Sequence, residues 1–277
     1  MLNQQPEGST EPPLGHKTGM VGVLPLYHSF AMTTVMNTSV AVGGWQMLFA
    51  RPPPTEELLE TIHNLPDYNG YIYCAAEILF QRIAELDQNI IDKYPLEGHL
   101  KLCISGAGPL HEYVRKPFEK KTGAKITEGY GLSEASPVVS CNNFYGEREP
   151  GYIGVPAPNT DWKIFGVEEF NEPIIKIGEE GTGEICVWGP QVMKGYWKQP
   201  ERTADTIKEW GGRKWLRTGD IGFMDEYGRI QIRDRKKQLI KMAGHSVFPK
   251  EVESLIGEHP KVLEVAVAGI PDEKTGE

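Results

Sequence analysis

The chain has few cysteines, and they lie far apart. Its 277 residues contain four, Cys74, Cys103, Cys141 and Cys186, with no closely spaced pair. Zinc sites and disulfide frameworks are recognised by such pairs, so we expect neither. Cys103 and Cys186 stand in apolar runs, which predicts buried free thiols and a reducing, cytoplasmic location.

Long apolar runs are also missing. Residues 1–18 are polar and rich in proline, without the apolar core of a signal peptide. Residues 30–50 carry no charge, but threonine, serine, asparagine, glutamine and glycine interrupt them. We therefore expect a buried helix followed by a buried strand there, rather than a transmembrane segment. Any contact with a membrane is therefore expected to be peripheral.

The chain has no excess of positive charge. Its formal net charge is −9, which argues against broad attraction to nucleic acid, although local donors can still bind an anion. Apolar residues make up 39% and charged residues 24% of the sequence. These values are typical of a globular protein, and the length allows one large or two ordinary domains.

The first half of the sequence alternates helix and strand patterns. Helices are predicted at 54–64, 75–86 and 111–122, and strands at 100–105 and 125–128. In the first helix Leu58, Leu59 and Ile62 share one side, and Thr55 is placed to cap it. Strands separated by helices indicate a parallel sheet, whose ligands gather at the carboxyl ends of the strands.

From about Gly151 the pattern changes to short strands separated by glycine and proline turns. Strands are predicted at 161–165, 183–188, 222–224 and 229–233, which is typical of a small β-barrel or sandwich. A helix is predicted from Pro249, with Val252, Leu255 and Ile256 facing inward, followed by a strand at 262–268.

Two glycine-rich segments follow predicted strands. One is Ser105-Gly106-Ala107-Gly108-Pro109-Leu110, and the other is Glu128-Gly129-Tyr130-Gly131-Leu132-Ser133-Glu134. Glycine lets a backbone approach a flat ligand, an aromatic ring can stack on a base, and a carboxylate can bind Mg²⁺. Taken alone, each segment could equally be a turn.

Further along, Thr218-Gly219-Asp220 places a carboxylate after a tight turn, where it could accept both hydroxyls of a ribose. A glycine hairpin and then Asp234-Arg235-Lys236-Lys237-Gln238-Leu239-Ile240-Lys241 follow. By composition alone this charged run would be a solvated turn. The order of the four motifs favours a shared function.

In that order the motifs resemble the adenylate-forming, AMP-binding superfamily, and in particular acyl-CoA synthetases of the long-chain fatty acid–CoA ligase type. The resemblance implies a reaction in which a carboxylic acid and ATP form an acyl-adenylate, which then gives a thioester with coenzyme A. It also implies ATP or AMP, Mg²⁺ and coenzyme A as ligands, and a fatty acid as the small-molecule partner. The implied fold class is α/β. It comprises a partial parallel sheet flanked by helices (1–150), a small β-barrel subdomain (151–234) and the start of a truncated α+β C-terminal domain (235–277).

The resemblance assigns a role to each matching residue. Ser133, Glu134, Lys241 and His28 become catalytic candidates, with Ser133 on the α-phosphate, Glu134 on Mg²⁺ and His28 as a wall or gate of the acyl channel. The implied nucleotide and coenzyme contacts are Gly106, Ala107, Gly108, Pro109, Gly129, Tyr130, Gly131, Asp220, Ile232, Arg235, Lys237 and Gly244. Among these, Asp220 and Arg235 would bind the ribose, and Lys237 would be the hinge of the C-terminal domain. Lys241 and Gly244 would line the thiol tunnel. We expect Tyr130, Glu134, Asp220 and Arg235 to converge on one nucleotide.

The sequence also departs from the family. Ala31 replaces a frequent glycine, and Tyr73-Cys74-Ala75-Ala76-Glu77 lacks the prolines usual in that turn. We find neither the phosphate loop expected before Pro25 nor the C-terminal catalytic lysine, and Gly15-His16-Lys17-Thr18 lacks the spacing of a substitute.

The chain is therefore interpreted as a fragment of an AMP-forming ligase, weak or inactive by itself, with exposed sheet edges that predict poor solubility. Two alternatives stay open at this point. One is a non-catalytic, nucleotide-binding truncation product, and the other is an adenylating domain that serves a carrier protein.

Overall fold

The computed structural model describes residues 18–66, 70–144, 148–149, 151–242, 245–259, 261–262 and 265–272. They form two compact units, one that ends at Pro158 and one that begins at Asn159. The domain boundaries expected at 150/151 and 234/235 stay predictions.

The first unit is built on a seven-stranded sheet. Its strands are β1 (Gly19–Gly22), β2 (Trp45–Leu48), β3 (Tyr71–Ala75), β4 (Leu100–Ser105), β5 (Ile126–Gly131), β6 (Val138–Cys141) and β7 (Val155–Pro156). Their order in the sheet is β2-β1-β3-β4-β5-β6-β7. The first five strands are parallel, as the sequence predicts, whereas β6 and β7 are antiparallel.

Helices connect these strands. They are α1 (Ser29–Ala31), a π-helical turn (Met32–Asn37), α2 (Thr38–Val42), α3 (Thr55–His63), α4 (Glu77–Glu85), α5 (Gln88–Lys93) and α6 (Glu112–Thr122). The order of helix and then strand predicted for 30–50 is confirmed, but the predicted burial is wrong: β2 is at most half-buried, and Val40 and Leu48 are exposed. The prediction that Thr55 caps α3 is wrong, since the helix already begins at Thr55 and Pro54 holds the cap position without a side-chain bond.

Side chains alternate between the two faces of the parallel sheet. Tyr71, Tyr73 and Ala75 of β3 pack in the larger buried cluster, with residues of α3, α4 and α6. Ile72 and Cys74 pack in the other cluster, beside Val35 of the π-helical turn. Both faces are therefore buried, as a parallel sheet requires.

The second unit is centred on a five-stranded antiparallel sheet. Its strands are β8 (Asp161–Phe165), β9 (Gly183–Trp188), β10 (Ile207–Trp210), β11 (Arg213–Met224) and β12 (Ile230–Arg235), and α7 (Pro200–Thr206) precedes β10. β11 pairs with β9 along one edge and with β10 and then β12 along the other. The predicted β-rich region is confirmed, although β11 is longer than the predicted strand.

A short hairpin and a helix complete this unit. They are β13 (Ile240–Met242), β14 (His245–Val247) and α8 (Pro249–Gly257). Two expectations are wrong here. Leu255 and Ile256 are exposed, and residues 262 and 265–268 are not in a strand. The described polar contacts of α8 are a hydrogen bond from Lys250 N to Asp234, the Glu251–Arg233 ion pair and a hydrogen bond from Val267 N to Glu253. None of these contacts covers Leu255 or Ile256.

Among the described residues, no helix combines the length and the apolar character needed to span a membrane.

Candidate functional site

The carboxyl ends of β4 and β5 bring two predicted nucleotide-binding segments together. These strands are parallel neighbours, with Ser105 opposite Glu128. Residues 106–109 leave β4 at this level, and residues 129–131 are the last three of β5. The two segments therefore lie side by side at the edge where parallel sheets bind ligands.

Residues 129–131 form strand rather than loop. Gly129 lies opposite Cys141 and Tyr130 opposite Ser140, in an antiparallel pairing with β6. A β-carbon on Gly131 would lie 2.1 Å from the carbonyl oxygen of Pro137. This close approach of two backbone segments requires glycine at position 131.

The polar candidates follow directly after β5. Ser133 and Glu134 lie in a 3₁₀ turn, Ser133–Ala135, with Ser133 exposed and Tyr130 and Glu134 half-buried. The hydroxyl oxygen of Ser133 lies 3.4 Å from that of Ser29, at the start of α1. Hydroxyl, ring and carboxylate are thus accessible at the same edge of the sheet.

Glu134 fits a site in which Mg²⁺ is held partly by a bound nucleotide. The described residues contain no group of three or more His, Cys, Asp or Glu side chains that could enclose a metal. Mg²⁺ in nucleotide sites is usually held by one or two carboxylates, substrate phosphates and water. A single accessible carboxylate therefore suits Mg²⁺ that arrives with a nucleotide.

The segment 106–109 combines an unusual backbone with open space. Ala107 has φ of 68°, a left-handed conformation that is costly for any residue with a β-carbon. A β-carbon on Gly108 would meet no atom within 4 Å, and residues 107–109 are exposed. Gly106 is buried against the ring of Phe30. A β-carbon built on Gly106 would lie 2.9 Å from that ring.

His28 has a structural contact that explains part of its placement. It is exposed, and its Nδ1 accepts a hydrogen bond from Phe30 N at 3.2 Å, which caps α1. By fixing the start of α1, His28 helps to place Phe30 against Gly106. Its predicted position in the wall of an acyl channel stays a prediction.

In the second unit, the two predicted ribose ligands are neighbours. Asp220 of β11 lies opposite Arg235 of β12, and Arg235 Nε is 3.3 Å from Asp220 Oδ1. Gly219 has φ of 75° and lies within a bulge between Arg217 and Ile221 of β11. The tight turn predicted before Asp220 is therefore wrong, because the strand continues through this position as a bulge. Ile232, which precedes Arg235 in β12, lies opposite Gly222.

Glu184 holds this bulge and was missed from the sequence. Its buried carboxylate pairs with Arg217 and accepts a hydrogen bond from Gly219 N at 3.1 Å. Thr218 Oγ1 donates to Ile185 O on the same strand. A charged residue in the apolar strand 183–188 was the signal, because buried carboxylates need partners.

The remaining candidates of this unit lie on its surface. Lys237 is exposed in the 3₁₀ turn Lys236–Gln238. Lys241 is exposed in β13, with its Nζ 3.5 Å from Glu168 Oε1. Gly244 lies outside the described residues. The hinge and thiol-tunnel roles of these three residues stay predictions.

Glu128 lies opposite Ser105 at the carboxyl ends of β4 and β5, and the pKa of its side chain is raised. Burial raises its pKa to about 7, against the opposing effect of a hydrogen bond from Gly151 N. Glu77 nearby raises the pKa further, whereas Arg115 and Asn142 lower it. Glu128 therefore exchanges its proton near neutral pH.

The four cysteines are buried free thiols, as predicted for Cys103 and Cys186. Burial raises the pKa of Cys74 and Cys141 to about 12, and it raises the pKa of the other two as well. None of the four is therefore a reactive thiolate at neutral pH.

Comparison with known proteins identifies the family. Residues 2–197 match the family described as AMP-binding enzyme. A long-chain-fatty-acid–CoA ligase of Bacillus subtilis (strain 168) is 40% identical over 258 residues, which are 93% of this chain and 43% of the relative. The chain thus spans less than half the length of that relative.

Solved structures agree on the fold. ATP-bound MatB from Rhodopseudomonas palustris matches with a TM-score of 0.83 and 28% identity, over 95% of this chain and 49% of that one. A malonyl-CoA ligase in a ternary product complex with methylmalonyl-CoA and AMP matches with a TM-score of 0.69 and 27% identity, over 95% and 54%. From the sequence match, the shared fold and the paired glycine segments, the chain belongs to the family of AMP-binding enzymes.

Proposed function

We propose that this chain supplies the nucleotide-binding and acyl-binding part of an AMP-forming acid–CoA ligase, with a fatty acid as substrate. The observation that carries the proposal is the juxtaposition of residues 106–109 and 129–134 at the carboxyl edge of β4 and β5. The identity with a long-chain-fatty-acid–CoA ligase supports the choice of acid.

The first unit would bind the base and the α-phosphate. Tyr130 would stack on adenine, residues 106–109 would pass along the base, and the Ser133 hydroxyl would donate to the α-phosphate. Glu134 would hold Mg²⁺, which supplies positive charge beside the phosphates. Asp220 and Arg235 of the second unit would bind the ribose hydroxyls.

The chemistry proceeds in two displacements. A carboxylate oxygen of the acid attacks the α-phosphorus of ATP, so that an acyl–AMP bond forms and pyrophosphate leaves. The sulfur of coenzyme A then attacks the acyl carbonyl carbon, so that a thioester forms and AMP leaves. In our proposal Lys237 is the hinge between the two steps, and Lys241 and Gly244 line the path of the thiol.

A product assay tests the reaction. A ligase extended to the length of its relatives should release pyrophosphate and form acyl-CoA when it receives a fatty acid, ATP and coenzyme A. The absence of pyrophosphate with fatty acids of short, medium and long chain would contradict the proposed reaction. Pyrophosphate without acyl-CoA would instead favour a carrier-protein acceptor.

A second candidate function concerns the 277-residue chain by itself. It carries the predicted contacts to base and ribose, and these contacts favour a chain that binds AMP. Binding of AMP in calorimetry, combined with no thioester in the product assay, would support this candidate.

A further inference from the structure

Glu77 makes contacts that the assigned functions leave unused. It is the first residue of α4. Its Oε1 accepts hydrogen bonds from His111 N at 2.5 Å and from His111 Nδ1 at 2.9 Å. Because a carboxylate only accepts hydrogen bonds, His111 Nδ1 carries the proton in this pair.

This pair closes one end of the predicted nucleotide loop. His111 directly precedes α6 and stands at the far end of residues 106–110. At the near end, Gly106 N donates to Ala75 O at 3.2 Å. The turn between β3 and α4 therefore holds both ends of the loop, through the Ala75 carbonyl and the Glu77 carboxylate.

Leu110 packs against the larger buried cluster, whereas the described contacts give residues 107–109 little support. Ala107 keeps its left-handed φ of 68°, and no atom lies within 4 Å of a β-carbon built on Gly108. Residues 107–109 are exposed. A left-handed alanine persists only where its surroundings impose it, so the anchored ends set the shape of this loop.

The imidazole is itself held in place. The His111 ring stacks on Tyr113, with 5.1 Å between centroids and 20° between planes. The Glu77 and His111 side chains are both about four-fifths shielded from solvent. Shielded hydrogen bonds to a charged group are stronger and better defined than exposed ones.

We propose that Glu77 is a positioning residue, which holds loop 106–110 in its nucleotide-binding shape through His111. This inference rests on the proposed function, since it assumes that the loop contacts the nucleotide. Both oxygens of the Glu77 carboxylate face the imidazole of His111.

Hydrogen exchange tests whether the contact between Glu77 and His111, here called the tether, holds the loop in place. This measurement needs no ligand. In Glu77→Ala, amide exchange in peptides that cover 106–111 should become about tenfold faster, because a charged hydrogen bond is lost. Glu77→Gln keeps an acceptor and should change exchange by less than about threefold. The matched control is Glu85→Gln at the other end of α4, whose carboxylate meets Gln81 on the surface. It should leave these peptides unchanged.

AMP binding tests the positioning. By calorimetry, Glu77→Ala should weaken AMP binding about tenfold, with Glu77→Gln between it and the unmodified chain. Should Glu77→Ala fail to fold, His111→Ala removes the imidazole and keeps the backbone donor, and it should show both effects in smaller degree. A purely structural contact would lower the melting temperature and leave AMP affinity unchanged in the folded protein.

The outcomes separate the two proposals. Unchanged exchange at 106–111 in Glu77→Ala, or faster exchange with unchanged AMP affinity, overturns the positioning by Glu77. A lack of AMP binding by the unmodified chain contradicts the proposed function instead, and the exchange experiment still decides whether the tether exists.

Discussion

At the scale of single residues, the raised pKa of Glu128 makes the stability of the protein depend on pH. Its folded pKa of about 7 lies above the ordinary value of 4.5 because the carboxyl is buried. Between these two values the folded protein therefore binds more protons at this site than the unfolded chain. Stability from this group is complete below pH 4.5 and is lost as the pH rises through 7.

We predict that the Glu128→Gln variant does not show this loss of stability as the pH rises. Between pH 5 and pH 8, the free energy of unfolding of the unmodified chain should fall relative to the variant by at most about 3 kcal/mol. Urea denaturation at the two pH values measures it, with Glu85→Gln as a surface control. A parallel pH dependence in Glu128→Gln and the unmodified chain would contradict a buried carboxyl that titrates near neutrality.

Glu184 is the residue on which the bulge before Asp220 depends. Glu184→Gln should destabilise the chain by about 3 kcal/mol, since Arg217 keeps a largely buried charge without its partner. Glu180→Gln is the matched control, because its carboxylate pairs with Lys176 on the surface, where such pairs contribute at most about 1 kcal/mol.

Urea denaturation of the two variants at pH 7 makes this comparison. Equal unfolding midpoints for Glu184→Gln and Glu180→Gln would show that the buried pair does not hold the bulge.

At the scale of elements, replacing a glycine by alanine should have different effects on stability in the two glycine-rich segments. Gly131→Ala would place a methyl group 2.1 Å from the Pro137 carbonyl oxygen, whereas Gly108→Ala would meet no neighbour. We predict that Gly131→Ala lowers the unfolding free energy by several kcal/mol, on the order of 3 or more, because backbone must move. Gly108→Ala should change it by less than about 1 kcal/mol.

Thermal and urea unfolding of the two alanine variants test this contrast. A Gly131→Ala protein as stable as Gly108→Ala would mean that β5 and the 137–138 segment can separate without cost.

Much of the element pattern could be predicted because it rests on local signals. β4 is predicted with its correct bounds, and α6 begins within one residue of the prediction, because an apolar strand and an amphipathic helix carry distinct periods. The errors arise where tertiary contacts decide. Leu255 and Ile256 have a helical pattern but stay exposed, because the described contacts of α8 are made by other residues of the helix, Lys250, Glu251 and Glu253.

The candidate site residues were named from motifs that resemble a family, and their roles stay predictions. What the structure adds is placement: strand pairing sets Ser105 opposite Glu128 and Asp220 opposite Arg235. The partners of Glu184 and of Glu77 could not be predicted. Each carboxylate joins segments 33 to 35 residues apart, and although a charged residue in an apolar strand marks Glu184, no local pattern identifies the partner.

At the scale of the whole molecule, the chain consists of two compact units, and each unit carries some of the predicted nucleotide contacts. The first holds Tyr130, Ser133 and Glu134, and the second holds Asp220 and Arg235. A net charge of −9 opposes anion binding at long range. Any affinity for AMP must therefore come from these specific donors and acceptors, which makes it sensitive to single substitutions.

Calorimetric titration of AMP into the 277-residue chain and into Asp220→Asn tests the central claim most directly. We predict one AMP bound per chain and at least about tenfold weaker binding by Asp220→Asn, because the carboxylate that accepts the ribose hydroxyls is lost. The variant should retain the circular dichroism spectrum of the unmodified chain. Equal affinity in both proteins, or no binding by the unmodified chain, would contradict the account.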